Sequence, residues 1–235
     1  MVLRCLELNL NYSRISFCDY FAKVIQVFGD NAKVGTCFAL GSFFRDIIVN
    51  KLGFSPIFNI FGPKGSGKTQ LGTSLMGLVI REHKPTSLGT ATLAALAEEV
   101  AFSSNAPLHL DEYKNEIGFW KIEWLKDMWG GIGRSRMSLD KDKRRKQSRV
   151  DCALIITGQE IPTADIALFT RLIFVSCDKQ HHTILLRLQN YTDNANKDLY
   201  GFRNDIPILL FCIYRKYPTS PIVLTYEEKV VTLCR

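Results

Sequence analysis

No apolar run in this 235-residue chain approaches the roughly 20 residues that a membrane helix requires, which argues against a membrane-spanning function. The nearest, Ile206-Pro207-Ile208-Leu209-Leu210-Phe211-Cys212-Ile213-Tyr214, reads as a buried helix. The start, Met1-Val2-Leu3-Arg4-Cys5-Leu6-Glu7, lacks the charged, apolar and small-residue order of a secretory signal, so the expected compartment is the cytoplasm. Cysteine pairs are missing too: Cys5, Cys18, Cys37, Cys152, Cys177, Cys212 and Cys234 are odd in number and scattered, with no C-x-x-C and no histidine at ligand spacing. That set excludes a disulfide framework and argues against zinc, and it reads as reduced core residues. His181-His182 are adjacent rather than four apart, as in a surface loop. No internal repeat or low-complexity tract is visible, so one main domain with a sizeable core is expected, built on 46% apolar residues.

Acidic residues are scarce in one place. Between Gly133 and Arg149 stand Arg134, Arg136, Lys141, Lys143, Arg144, Arg145, Lys146 and Arg149 against only Asp140 and Asp142. Nearly all of the formal net charge of +7 is therefore concentrated in one segment. Such concentration points to one anionic partner surface, and nucleic-acid phosphate is the commonest.

Gly62-Pro63-Lys64-Gly65-Ser66-Gly67-Lys68-Thr69 is a complete phosphate-binding P-loop, preceded by the strand-like Pro56-Ile57-Phe58-Asn59-Ile60-Phe61 and followed by a helix-like run to Met76. Its glycines let backbone N–H groups turn inward around phosphate, and the helix N-terminus adds its positive dipole end. By the chemistry of the motif, Lys68 reaches the β- and γ-phosphates and Thr69 ligates Mg²⁺, so ATP and Mg²⁺ are the expected ligands.

Around the loop, apolar periodicity predicts helices between Phe21 and Leu52, broken at Gly29-Asp30-Asn31. Lys84 to Gly89 breaks the chain, and Thr90 is the expected cap of a helix through Leu93, Leu96, Ala97 and Val100. A strand is predicted at Pro107 to Leu110, and a helix from Phe119 to Trp129 stopped by Gly130-Gly131, its aromatics facing the core. Val150 to Thr157 and Leu172 to Val175 read as buried strands. Strands alternating with helices, with a P-loop after an early strand, predict a three-layer α/β nucleotide domain. Residues 1–52 read as a helical lead-in, 53–180 as the P-loop ATPase core and 181–235 as a helical extension.

The remaining candidates follow from this frame. Leu108-His109-Leu110-Asp111-Glu112 delivers a carboxylate pair from a strand end: Asp111 for the Mg²⁺ shell, Glu112 to orient or deprotonate the attacking water. In Thr157-Gly158-Gln159-Glu160 either Gln159 or Thr157 suits sensing of the γ-phosphate. Arg171, a lone cation at a strand start, suits an arginine finger aimed at a neighbouring subunit's site, with a structural ion pair as the alternative. The basic segment reads as a hairpin whose Lys141, Lys143, Arg144, Arg145 and Lys146 track a single-stranded backbone, with a solvated charged loop as the alternative.

This ordered set, from Gly62 to about Lys179, resembles the helicase module of superfamily 3, an AAA+-like P-loop fold, and the primase-helicases of phages, plasmids and Bacteroides-type mobile elements. The match runs through the P-loop, His109-Leu110-Asp111-Glu112-Tyr113-Lys114-Asn115, and Thr157 to Phe169. The resemblance implies a hexameric ring ATPase translocating on single-stranded or forked DNA in mobile-element replication, with the hairpin lining the channel. It carries Gln159 to the sensor, Arg171 to the finger and Lys143 to Lys146 to DNA. The family's sensor is usually asparagine, where this chain has Gly158-Gln159. No primase or zinc segment is present, so a primase would be a separate partner, and the end soon after the core reads as a truncated or split product. A protein-remodelling ATPase and a DNA-binding fragment without turnover are the alternatives.

Overall fold

Among the described residues, three helices, α1 (Phe17–Phe28), α2 (Asp30–Ser42) and α3 (Arg45–Leu52), precede the first strand. The computed structural model describes residues 17–77, 83–137 and 145–178, with 132–137 and 145–149 as backbone alone. The expected extension over 181–235, the Ile206–Tyr214 run and His181-His182 lie outside the described residues. Helix α1 buries Tyr20, Phe21, Val24 and Val27, one stripe at helical spacing. Gly29, at φ 56, supplies the left-handed turn into α2. A second break, unmarked by glycine or proline, falls at Phe43-Phe44.

β1 (Ile57–Phe61) leads through the P-loop into α4 (Lys68–Met76). Then come β2 (Thr86–Ser87), α5 (Leu93–Phe102), β3 (Ser104–Tyr113), α6 (Phe119–Trp129), the strands β4 (Ile132–Met137) and β5 (Arg145–Arg149), β6 (Asp151–Gly158), α7 (Ile166–Phe169) and β7 (Leu172–Ser176). Five strands form a parallel sheet in the order β2-β3-β6-β1-β7, while β4 and β5 pair antiparallel as a separate hairpin between α6 and β6. Alternate side chains of the central strands face opposite layers. Phe58, Ile60 and Ile155 pack under α1, α2 and α4 with Tyr20, Val24, Leu71 and Leu75. Ile57, Leu154 and Ile156 pack under α5, α6 and α7 with Leu96, Val100, Leu125 and Leu168. The expected three-layer α/β P-loop fold is thus the observed one, and α1 and α2 form part of one layer. Helix α2 comes close to α4 because Gly35 has no side chain: a Cβ there would lie 2.8 Å from Leu75. Truncating a fully buried leucine such as Leu71 or Leu75 to alanine would cost about 2–5 kcal/mol.

Several local expectations change. The cap of α5 is Thr92, whose hydroxyl accepts from the Ala95 N–H at 3.2 Å. Thr90 instead donates its backbone N–H to Ser87 Oγ. The segment read as a break contains β2, whose two residues pair with Leu110 and Asp111. Of the α6 aromatics, Trp124 is buried and Trp129 stacks on Phe54 at 4.5 Å, but Phe119 and Trp120, in the first turn of α6, are exposed. Cys152 and Cys177 are buried, whereas Cys18 and Cys37 are on the surface. No helix among the described residues is long and apolar enough to cross a membrane.

Candidate active site

Because the sheet is parallel, the loops after β1, β3, β6 and β7 emerge along one edge, where open α/β sheets place their ligands. The P-loop is shaped by glycines in the left-handed half of backbone space, Gly62 at φ 153, Gly65 at φ 79 and Gly67 at φ 84. At Gly62 the constraint is doubled, since a Cβ would stand 2.2 Å from the Cys177 carbonyl oxygen. Pro63, Lys64 and Gly65 are exposed at the tip, and the buried Ser66 hydroxyl has no hydrogen-bond partner among the described residues. Lys68 opens α4, and its Nζ donates to the Pro63 carbonyl at 2.8 Å. Burial lowers its pKa, opposed by the nearby Asp111 and Cys177. A desolvated ammonium facing an anion nest gains strongly from phosphate oxygens.

Asp111 is fixed from several sides. Thr69 Oγ1 donates to its Oδ2 at 3.0 Å, Thr157 Oγ1 donates to its Oδ1 at 2.6 Å, and the Glu112 N–H donates to Oδ1 at 2.7 Å. Strand β6 lies between β1 and β3, so Thr157 is the residue that reaches Asp111 from the neighbouring strand. The Thr69 hydroxyl and the Asp111 carboxylate are hard oxygen donors converging beside the loop, a set that fits Mg²⁺ with the balance of its shell from water and phosphate.

At Glu112 the β3–β6 register shifts between Leu110 and Tyr113, and Glu112 adopts φ 63. Such a bulge re-aims a side chain, and a non-glycine residue there carries on the order of 1–2 kcal/mol of backbone strain. The exposed Glu112 carboxylate accepts a short hydrogen bond from Ser87 Oγ, which the two-residue β2 places beside Asp111.

Thr157 and Gln159 separate clearly. Thr157 is fully buried and bonded to Asp111, whereas Gln159 is exposed just beyond β6. Position 158 cannot carry a side chain, because a Cβ there would lie 2.6 Å from the Tyr113 carbonyl oxygen. Glu160 accepts from the Asn115 N–H at 2.8 Å, tying the loop after β6 to the loop after β3. Behind Thr157, His109 is fully buried with its pKa pushed down to about 3, chiefly by burial.

Arg171 stands at the opposite end of the sheet, where its carbonyl accepts from the Ile57 N–H at 3.1 Å. It is thus a strand length, on the order of 15 Å, from its own P-loop. Its Nη1 donates to the Ala167 carbonyl, and its guanidinium lies 5.1 Å from the Trp129 ring centroid. Among the described residues its contacts are a carbonyl and a ring, with the Asp127 carboxylate near enough to feel its charge.

The expected hairpin is the β4–β5 pair, in which Arg136 faces Lys146 and Met137 faces Arg145. Lys141, Lys143 and Arg144 lie outside the described residues. The root of the hairpin rests on Arg45, a residue that sequence reasoning missed: it is 2% exposed, donating through Nη2 to the Met128 carbonyl at 2.7 Å and through Nη1 to the Val150 carbonyl. Ser87 and His109 were missed as well. Only the quoted strand motif pointed toward His109, and no local signal marks Ser87 or Arg45.

No family model and no curated protein matches the chain. Among solved structures it is similar to "SCCmec type IV Cch - active helicase", with TM-score 0.59 and 17% identity over 94% of this chain and 41% of that one. This chain therefore spans less than half the length of that protein, and at this identity the likeness is one of fold. Two further matches are the "NrS-1 C terminal region (305-718)", TM-score 0.43 and 16% identity over 85% of this chain and 49% of that one, and a ligand-bound "JCV Helicase", TM-score 0.39 and 14% identity over 92% and 66%.

Proposed function

We propose that this chain is an ATP-hydrolysing motor module that moves along single-stranded or forked DNA, as a helicase or translocase in the replication of a mobile genetic element. The observation that carries the reading is the convergence, at one sheet edge, of the glycine-shaped loop, Lys68, the Thr69–Asp111 oxygen pair and the outward-turned Glu112. The likeness in fold to a solved active helicase supports it, as does the hairpin that carries the basic segment.

In this reading the loop N–H groups from Gly62 to Thr69 hold the phosphates of ATP, and Lys68 leaves the Pro63 carbonyl for the β- and γ-phosphates. Thr69 and Asp111 hold Mg²⁺, which supplies neutralisation of phosphate charge. Glu112 orients a water and takes its proton as the water oxygen bonds to the γ-phosphorus and the bond to the β-phosphate oxygen breaks, leaving ADP and phosphate. Gln159 senses the γ-phosphate. Arg171, a strand length from its own loop, serves a neighbouring copy in a homo-oligomeric, hexameric ring. Lys141, Lys143, Arg144, Arg145 and Lys146 follow the DNA backbone, and a separate partner supplies any primase step.

The test is phosphate release across protein concentration, with and without single-stranded DNA, beside a variant with Lys143, Arg144, Arg145 and Lys146 neutralised. Turnover that rises cooperatively with concentration and is stimulated by DNA only in the unsubstituted chain is expected. Turnover indifferent to DNA would favour a protein-remodelling ATPase, and nucleotide binding without turnover would favour an inactive DNA-binding fragment.

A further inference from the structure

The Asp111 carboxylate, on β3, joins the P-loop helix to strand β6 by side-chain hydrogen bonds from Thr69 and Thr157. As a carboxylate it accepts only, so Thr69 and Thr157 must both donate to it. For Thr157 the choice is unambiguous, because Asp111 Oδ1 at 2.6 Å is a far better acceptor than the Leu110 carbonyl at 3.5 Å. With its proton so directed, Thr157 Oγ1 can only accept from His109 Nε2, 2.9 Å away. One donor chain results, from His109 through Thr157 to Asp111, and the bonds themselves assign a proton to Nε2.

The ring is held in that pose by its surroundings. Gly72 of α4 lies directly against it, such that a Cβ would come within 2.5 Å of His109 Cε1, and the His83 ring stacks at 5.3 Å between centroids. The other nitrogen, Nδ1, is buried with no hydrogen-bond partner among the described residues. An unpaired buried polar atom is unfavourable, so packing alone would favour an apolar residue at position 109.

We infer that His109 is a positioning residue, which through the Thr157 hydroxyl fixes the Asp111 carboxylate in the orientation that meets Thr69 and so sets the affinity of the site for a divalent metal with nucleotide. The inference rests on the nucleotide reading above. It predicts a selective defect, because the P-loop backbone that grips the phosphates makes no use of this chain of bonds.

The experiment is calorimetric titration of the full chain with ATP in Mg²⁺ and in EDTA. Thr157→Val and His109→Leu should each weaken ATP binding in Mg²⁺ by about tenfold or more and leave binding in EDTA unchanged. Thr157→Ser and His109→Gln, which keep the hydroxyl and the Nε2-like donor, should retain the unsubstituted affinity. The double variant Thr157→Val/His109→Leu should be no weaker than Thr157→Val, since His109 acts only through Thr157. Equal losses in Mg²⁺ and EDTA, or Thr157→Val matching the unsubstituted chain, would overturn the positioning role. Should His109→Leu fail to fold, His109→Phe, closer in shape to the imidazole but without a donor, takes its place under the same expectations. No Mg²⁺ effect in the unsubstituted chain would overturn the nucleotide reading itself, and this inference with it.

Discussion

The two ends of the parallel sheet handle charge in different ways. At the C-terminal end, Lys68 is desolvated against one carbonyl of its own loop, and Glu112 is held in left-handed backbone by a bulge and one serine. At the N-terminal end, Arg45 is sunk among the carbonyls of Met128 and Val150, and Arg171 is bonded to Ala167 and laid over Trp129. Charge at the first end is held with strain and incomplete solvation, which is how a site is left receptive to a ligand. Cations at the second are bonded to backbone carbonyls of other segments, which is how a cation secures loops and helix ends. Lys68 and Arg45 are both nearly buried, so burial does not distinguish a binding cation from a structural one. Their partners do.

The largest effects that would sharpen this contrast fall at the strained end. Glu112→Gln is expected to lower ATP turnover by about 10²- to 10⁴-fold while ATP binding and the melting temperature persist, read by phosphate release, calorimetry and thermal melts. Arg171 lies on both sides of the comparison. Arg171→Ala should cost only about 1 kcal/mol of stability, the scale of a cation–ring contact. Turnover of the assembled protein should nonetheless fall about 10³-fold. Mixed rings of Arg171→Ala and Glu112→Gln subunits should regain part of it, and no recovery in demonstrated mixed rings would leave Arg171 a purely structural cation. Arg45→Met should do the reverse of Glu112→Gln, costing about 2–4 kcal/mol in a denaturant melt because two carbonyls lose a buried donor.

The smallest effect concerns pH. His83 and His109 are held at about 4 and about 3, below the ordinary 6.5, mainly by burial. Unfolding lets both take up protons below 6.5, so their contribution is complete above that pH and is lost progressively as pH falls toward 4 and 3. His83→Phe should make the acid limb of a stability–pH curve shallower between those values. An unchanged limb would mean that His83 is solvated in the folded chain.

What was legible in the sequence was local. The P-loop announces itself through glycine positions that backbone geometry demands, and Asp111-Glu112 is readable because an apolar strand runs directly into it. The continuous apolar runs of β6 and β7 gave strands nearly residue for residue. What escaped depends on contacts between distant segments. The bonds of Thr157 to Asp111 and of Arg45 to Val150 join residues far apart in the chain, and nothing near either residue marks them. The edge strand β2 was missed because two residues carry no periodicity, although it delivers Ser87 to Glu112. Phe119 and Trp120 were misplaced because aromatic spacing alone cannot say which turns of a helix meet the core.

The most direct test of the central claim, that the C-terminal end of the sheet binds and hydrolyses nucleotide, is a single-turnover assay. The full chain and its Glu112→Gln variant would be loaded with γ-labelled ATP and Mg²⁺ in the presence of single-stranded DNA, and retained ATP and released phosphate followed together. The account predicts that both proteins retain ATP and that only the unsubstituted chain releases phosphate. Equal release from both proteins, or no retention of ATP by either, would contradict it.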